Sequence, residues 1–221
     1  ENVLILQGGG SLGAFACGVF KIFVENNIKI DIVAGTSIGA VNASIISGSK
    51  LKDNPEKALE QFWLELSEGD VNSNSSSFTK WLLYGITNPL TSIEDDARNI
   101  PSSQIKSLSS FYKSAFFGNN KVFIPRWSPQ YAFTDPEYFT PNKWTYLYDH
   151  SPLIKTLEKY IDFSKLQPNG NPNSRLIITA VNVLTAEPLA FDSSKQQITP
   201  KHILAATAYP NYYFQWVEVE E

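Results

Sequence analysis

The chain has 221 residues, 43% of them hydrophobic and 18% charged, which suits one sizeable domain and excludes a disordered polypeptide. A net charge of -4, with no run of Lys or Arg, gives no electrostatic basis for nucleic-acid binding or for attraction to an anionic membrane surface. A lone Cys17 excludes an internal disulfide, and no apolar run is long enough to span a bilayer.

Val3-Leu4-Ile5-Leu6 is a short apolar run ending in Gly8-Gly9-Gly10, a buried strand feeding a turn. Leu12 to Val24 predicts a helix with Phe15, Val19, Ile22 and Phe23 on its apolar side, ended by Asn26 and Asn27. Ile30 to Ala34 predicts a second strand, and Ile38 to Ser47 a second helix closed by Gly48. This strand, helix, strand, helix order favours a parallel sheet with helices on its faces.

Asn54 and Pro55 suit an N-cap and first helical turn, and Ala58, Leu59, Phe62, Trp63 and Leu66 recur at helical spacing. Residues 69–78 have loop composition, and 79–150 combine many aromatics and prolines with little periodicity. Residues 69–150 therefore read as a cap or insertion of short helices and loops. Its aromatics, including Trp81, Tyr84, Phe111, Trp127, Phe133 and Phe139, suit a mixture of cap core and pocket lining. Leu153, Ile154, Leu157, Tyr160 and Ile161 share a helical face. Arg175 to Leu184 predicts a strand, with Pro188 to Phe191 returning as a hairpin. Thr199-Pro200 opens a last helix through Ala206, and Tyr212 to Val219 predicts a final strand.

Gly35-Thr36-Ser37-Ile38-Gly39 is a G-x-S-x-G pattern between a strand and a helix. On such a sharp turn a serine is held in a strained conformation with its hydroxyl pushed out of the sheet. The flanking glycines remove side chains that would clash, and the helix N-terminus favours developing negative charge. The bland alternative is a strand-to-helix turn with a capping serine. Gly8, Gly9, Gly10 and Gly13 form a second motif with two readings. One is an oxyanion hole built from amides near Gly9 and Gly10. The other is a dinucleotide loop, since Gly8, Gly10 and Gly13 fit G-x-G-x-x-G and Asp31 has the spacing of a ribose-binding acid. A nucleophile turn just beyond Asp31 has no use in a dinucleotide fold.

The histidines are His150 and His202. A conventional triad would need one of them. His202 reads as a surface or capping residue, and His150 as bonding locally at a helix start. Two isolated histidines and one cysteine make no metal site by spacing. Cys17 reads as a buried small hydrophobe, and Asp95-Asp96 as a solvated loop.

Q-G-G-G-S-L-G-A at residues 7–14 followed by A-G-T-S-I-G-A at 34–40 resembles the patatin-like phospholipases. The stretch K-H-I-L-A-A-T-A-Y-P from Lys201 to Pro210 is similar to that family's A-S-x-A-x-P segment. The region Ile124 to Leu166 resembles a bacterial and archaeal subset. The resemblance implies a three-layer α/β sandwich with a mainly parallel central sheet. It places one patatin-like domain over 1–221 that stops before its C-terminal part. It also implies a lipid acyl hydrolase with a Ser-Asp dyad and no cofactor. Ser37 would be the nucleophile, Gly8, Gly9 and Gly10 the oxyanion loop, and Gly13, Gly35 and Gly39 the motif glycines. The dyad aspartate should sit in an Asp-Gly pair. No aspartate in this sequence is followed by glycine, so the base is expected beyond Glu221. Leu12 departs from relatives that carry Arg or Lys there, leaving the hole to backbone amides. The expected partner is a lipid or other acyl ester, met by a cytoplasmic protein in transient contact with a membrane surface. A non-catalytic acyl-binding or protein-binding relative and a dinucleotide-dependent oxidoreductase are the other classes left open.

Overall fold

A computed structural model describes residues 1–51, 54–67, 119–209 and 213–219. Apolar runs of the chain form a four-stranded sheet in the order β1 (Val3–Leu6), β2 (Ile32–Thr36), β5 (Arg175–Val181), β6 (Pro188–Asp192). The first three strands run parallel and β6 returns antiparallel. Register places Leu6, Gly35 and Ile178 side by side, and likewise Leu4, Val33 and Leu176. Side chains alternate across a strand, so these residues share one face. Val33, Leu176 and Ile178 on that face are fully buried, whereas Val3, Ile5 and Val181 on the opposite face are exposed.

Helix α1 (Ala14–Glu25) joins β1 to β2, and α2 (Ile38–Gly48) follows β2. Every residue of α2 from Gly39 to Gly48 is buried. It lies against β1, β2 and β5 and also meets α3 (Pro55–Ser67), α4 (Pro152–Tyr160) and α5 (Pro200–Thr207). Such burial on all sides is what its run of small and apolar residues permits. The expected α/β architecture is therefore present: a mostly parallel sheet flanked by helices.

Helix α1 buries a stripe that keeps only Phe23 of the predicted one. Phe20 is buried, with Ala16, Cys17 and Phe23 packed on the core. Phe15 is 79% exposed and Ile22 is 54% exposed. The helix carries apolar residues on both stripes, so periodicity alone could not choose between them. Faces of α3 and α4 match expectation, with Ala58, Leu59, Phe62, Leu153 and Leu157 buried.

Strand β5 stops at Val181. Asn182 then makes the hairpin turn, its side-chain oxygen accepting from the Leu184 amide at 2.9 Å. The predicted final strand does not form. Phe214 makes one isolated bridge to Tyr148, and 215–219 have no regular structure. The available neighbour, β4 (Tyr148–Asp149), is two residues long and already pairs with β3 (Ile124–Pro125). Rings hold the segment instead: Phe214 contacts Phe123, Tyr148 and His150.

Residues 69–118, including Trp81, Tyr84, Asp95-Asp96 and Phe111, lie outside the described residues, as does Tyr212. The remainder of the proposed insertion, 119–150, is built from turns, short 3-10 segments and the two-residue strands β3 and β4. Buried Arg126 organises it, donating to Asp135 at 2.7 and 3.1 Å and to Glu137 at 3.2 Å. Its guanidinium also lies over the rings of Tyr146 and Trp144. Two of the aromatics read as pocket or cap core point outward, Phe133 being 99% exposed and Phe139 largely so.

Two helical glycines separate steric need from conformational cost. A Cβ on Gly39 would lie 2.2 Å from the Leu6 carbonyl oxygen, whereas Gly18 on α1 faces open space. In urea unfolding, Gly39→Ala is expected to destabilise by more than about 3 kcal/mol. Gly18→Ala is expected to stabilise by about 0.5–1 kcal/mol.

Candidate active site around Ser37

The end of β2 and the start of α2 approach closely enough to dictate their residues. A Cβ on Gly35 would stand 2.2 Å from the Gly39 carbonyl oxygen. Gly39 in turn rests on the β1 backbone at Leu6 and on Gln7 just beyond it. Neither contact involves a flexible side chain that could move aside. Both glycines of the G-x-S-x-G pattern are therefore required by backbone-on-backbone packing.

Ser37 sits between them with φ 56 and ψ -126. A positive φ is rare for a residue with a Cβ and costs of order 1–3 kcal/mol. The surrounding glycine contacts and the fully buried helix hold it there. Its carbonyl starts α2 by accepting from the amides of Ala40 at 2.8 Å and Val41 at 3.3 Å. The side chain does not act as a helix cap. Among the described residues its hydroxyl makes no hydrogen bond, and the residue is half-buried. The bland reading of a capping serine is thus excluded.

The glycine loop after β1 reaches the same point. A Cβ on Gly8 would lie 3.1 Å from the Ser37 Cβ and 3.8 Å from its Oγ. Gly9 and Gly10 both have positive φ, at 152 and 57, a path open to glycine at little cost. The loop then enters a 3-10 turn, Gly10–Gly13, which leads into α1. Gly13 is wedged against the Ile38 side chain and the Trp63 ring, and a Cβ on it would lie 2.8 Å and 3.0 Å from them. The fold thus brings into contact the two glycine motifs that stand apart in the sequence.

One neighbour of this loop gives no signal among the sequence motifs. Asn42, fully buried on α2, donates from Nδ2 to the Gly13 carbonyl at 2.9 Å and accepts at Oδ1 from Trp63 Nε1 at 3.1 Å. A buried asparagine inside an apolar helix is the feature that could have flagged it. Beside Ser37, the hydroxyls of Thr36 and Thr179 lie 2.5 Å apart on the opposite face of the sheet from α2.

The remaining candidates lie elsewhere or are occupied. Asp31 precedes β2 and accepts from the Asn2 amide, at the opposite end of the strands from the glycine loop. A ribose-binding acid must follow the second strand, so Asp31 does not serve a dinucleotide there. His202 is buried rather than on the surface. It completes a capping box, its Nδ1 accepting from the Thr199 amide at 3.0 Å. His150 bonds the Leu204 carbonyl at 3.3 Å, far along the chain rather than locally, and stacks on Phe214. Burial pushes both imidazoles below their ordinary range. Cys17 is half-buried, and burial raises its thiol pKa. Among the described residues no group of acidic, histidine or cysteine side chains could hold a metal ion. No described helix is long and apolar enough to cross a membrane.

Because both histidines bind protons more weakly folded than unfolded, acidification favours the unfolded chain. Their contribution to stability is expected to be complete above about pH 6.5 and to fall as pH drops below it. Thermal melts between pH 8 and 5 check this, and His150→Gln should flatten part of the decline.

The patatin-like phospholipase family profile matches residues 4–221. Triacylglycerol lipase SDP1L of Arabidopsis thaliana is 31% identical over 106 residues, covering 41% of this chain and 13% of that protein. Neuropathy target esterase sws of Drosophila persimilis is 36% identical over 93 residues, covering 41% and 6%. Uncharacterized protein L620 of Acanthamoeba polyphaga mimivirus is 32% identical over 105 residues, covering 42% and 28%. The matched region is thus under a third of each relative's length. A solved structure of full-length ExoU in complex with SpcU from Pseudomonas aeruginosa aligns with 93% of this chain and 38% of that one. Its TM-score of 0.36 and 15% identity carry no weight beside the family match. With a match over nearly its whole length, the chain belongs to the patatin-like phospholipase family.

Proposed function

We propose that this protein hydrolyses carboxylic esters of lipids, with Ser37 as nucleophile of a Ser-Asp dyad whose aspartate lies outside these 221 residues. The observation that carries the reading is Ser37 beside Gly8 at the start of the oxyanion loop, its backbone at a strained positive φ and its hydroxyl making no hydrogen bond among the described residues. Ser37 Oγ attacks the ester carbonyl carbon while the aspartate takes the hydroxyl proton. The carbonyl oxygen becomes an oxyanion, and the amides near Gly9 and Gly10 stabilise it. Collapse expels the alcohol, which receives that proton, and leaves an acyl-serine. Water, deprotonated by the same aspartate, then adds to the acyl carbon; the bond to Ser37 Oγ breaks, Oγ takes that proton back, and the acid leaves.

Lipase and esterase relatives support a lipid ester as the substrate class. Contact with a lipid surface belongs to the same proposal. Leu12 and Phe15 stand 78% and 79% exposed beside the glycine loop, where apolar side chains suit a lipid surface. The segment Ile124 to Leu166 supports placement in the bacterial and archaeal subset, and residues 69–150 are proposed as the cap. A second reading is a relative that binds acyl groups without turnover, which loss of the Asp-Gly pair from the full-length protein would favour.

A fluorophosphonate probe on the full-length protein separates the two. Labelling is expected in wild type and absent in Ser37→Ala, with ester hydrolysis reduced roughly 10⁴-fold or more. Labelling that persists in the variant would remove Ser37 from the mechanism. A wild-type protein that neither labels nor hydrolyses would favour the binding relative.

A further inference from the structure

We infer that Asn42 is a positioning residue that fixes the oxyanion loop relative to Ser37, an inference that rests on the reading just given. The two halves of the site come from different elements: Ser37 heads α2, while the Gly9 and Gly10 amides ride on the loop after β1. Their separation depends on whatever ties loop to helix.

Asn42 supplies that tie from the interior of α2. Its amide has both ends occupied, and the partners decide its orientation. Trp63 Nε1 can only donate, so it requires Oδ1 at its side. Nδ2 is thereby aimed at the Gly13 carbonyl. That carbonyl closes the 3-10 turn whose first residue is Gly10, and the Leu12 amide reaches back to Gly9 at 3.2 Å. Gly13 is also clamped between Ile38, the residue after Ser37, and Trp63. A shift of Gly13 would therefore carry the loop amides away from the place where the oxyanion forms.

The bond lies in a dry interior, with Asn42 fully buried and Gly13 buried. There an unpaired carbonyl is costly, and the loop would move to relieve it. Small displacements of stabilising donors reduce turnover without altering how substrate first binds.

The test uses Asn42→Asp, Asn42→Leu and Trp63→Phe in the full-length protein. Asn42→Asp keeps the shape and the Trp63 acceptor but loses the donor to Gly13. Trp63→Phe keeps an aromatic ring and loses the orienting N–H. A short-chain p-nitrophenyl ester gives kcat and KM, expressed per site titrated with fluorophosphonate so that misfolded molecules drop out. Affinity for a trifluoromethyl ketone reports binding of the tetrahedral state. Both Asn42 variants are expected to lose roughly 10- to 100-fold in kcat. KM should stay within about threefold, and ketone affinity should fall in step with kcat/KM. Trp63→Phe should show the same pattern, more weakly. If Asn42→Leu does not fold, Asn42→Asp and Trp63→Phe decide. Variants with wild-type kcat per titrated site, or with raised KM and intact kcat, overturn the inference alone. Labelling that survives Ser37→Ala overturns the reading beneath it as well.

Discussion

The site depends on one steric constraint: two backbones approach with no room for a side chain between them. Gly35 of β2 meets Gly39 of α2, and Gly39 meets Leu6 of β1. Helix α2 is thereby pressed onto the ends of two adjacent strands. The residue between the glycines must turn the chain in a single step, and Ser37 does so at positive φ. Strain of this kind persists only where the surroundings over-determine it. Gly35 is held in the ladder between Leu6 and Ile178, and α2 is buried along its length. The Ser37 hydroxyl is thus carried by a tightly packed part of the fold rather than by a loose loop.

The same packing brings the second motif into place. Once α2 lies on the end of β1, the loop leaving β1 must pass over the helix N-terminus. Gly8 then meets Ser37, and Gly13 meets Ile38. Positive φ at Gly9 and Gly10 lets the chain turn tightly there. The loop itself carries no charge, since no charged residue occurs from Asn2 through Phe20. Stabilisation of an oxyanion proposed for this loop would therefore come from neutral donors, its backbone amides first, and not from a charged side chain.

Much of this was legible in the sequence, because the informative residues are those whose backbone needs are unusual. Glycines flanking a serine after an apolar run specify a turn, and apolar runs at strand and helix periods specify α2, α3, α4 and β5. Other features depended on tertiary context. Helix α1 is apolar on two stripes, and only packing against α3 and the core selected the one containing Phe20. The segment at 213–219 has strand composition but too short a neighbour, and aromatic contacts replaced the ladder. His150 and Asn42 bond to carbonyls far along the chain, which no local pattern encodes. Arg126 anchors its own loop through Asp135 and Glu137, a role that no local sequence pattern assigns to it.

The most direct test is a crystal structure of the full-length protein after reaction with a fluorophosphonate, whose adduct mimics the tetrahedral intermediate. The account predicts phosphorus bonded to Ser37 Oγ and the phosphonyl oxygen about 3 Å from the amides near Gly9 and Gly10. An adduct on another residue, or a phosphonyl oxygen turned away from the glycine loop, would contradict it.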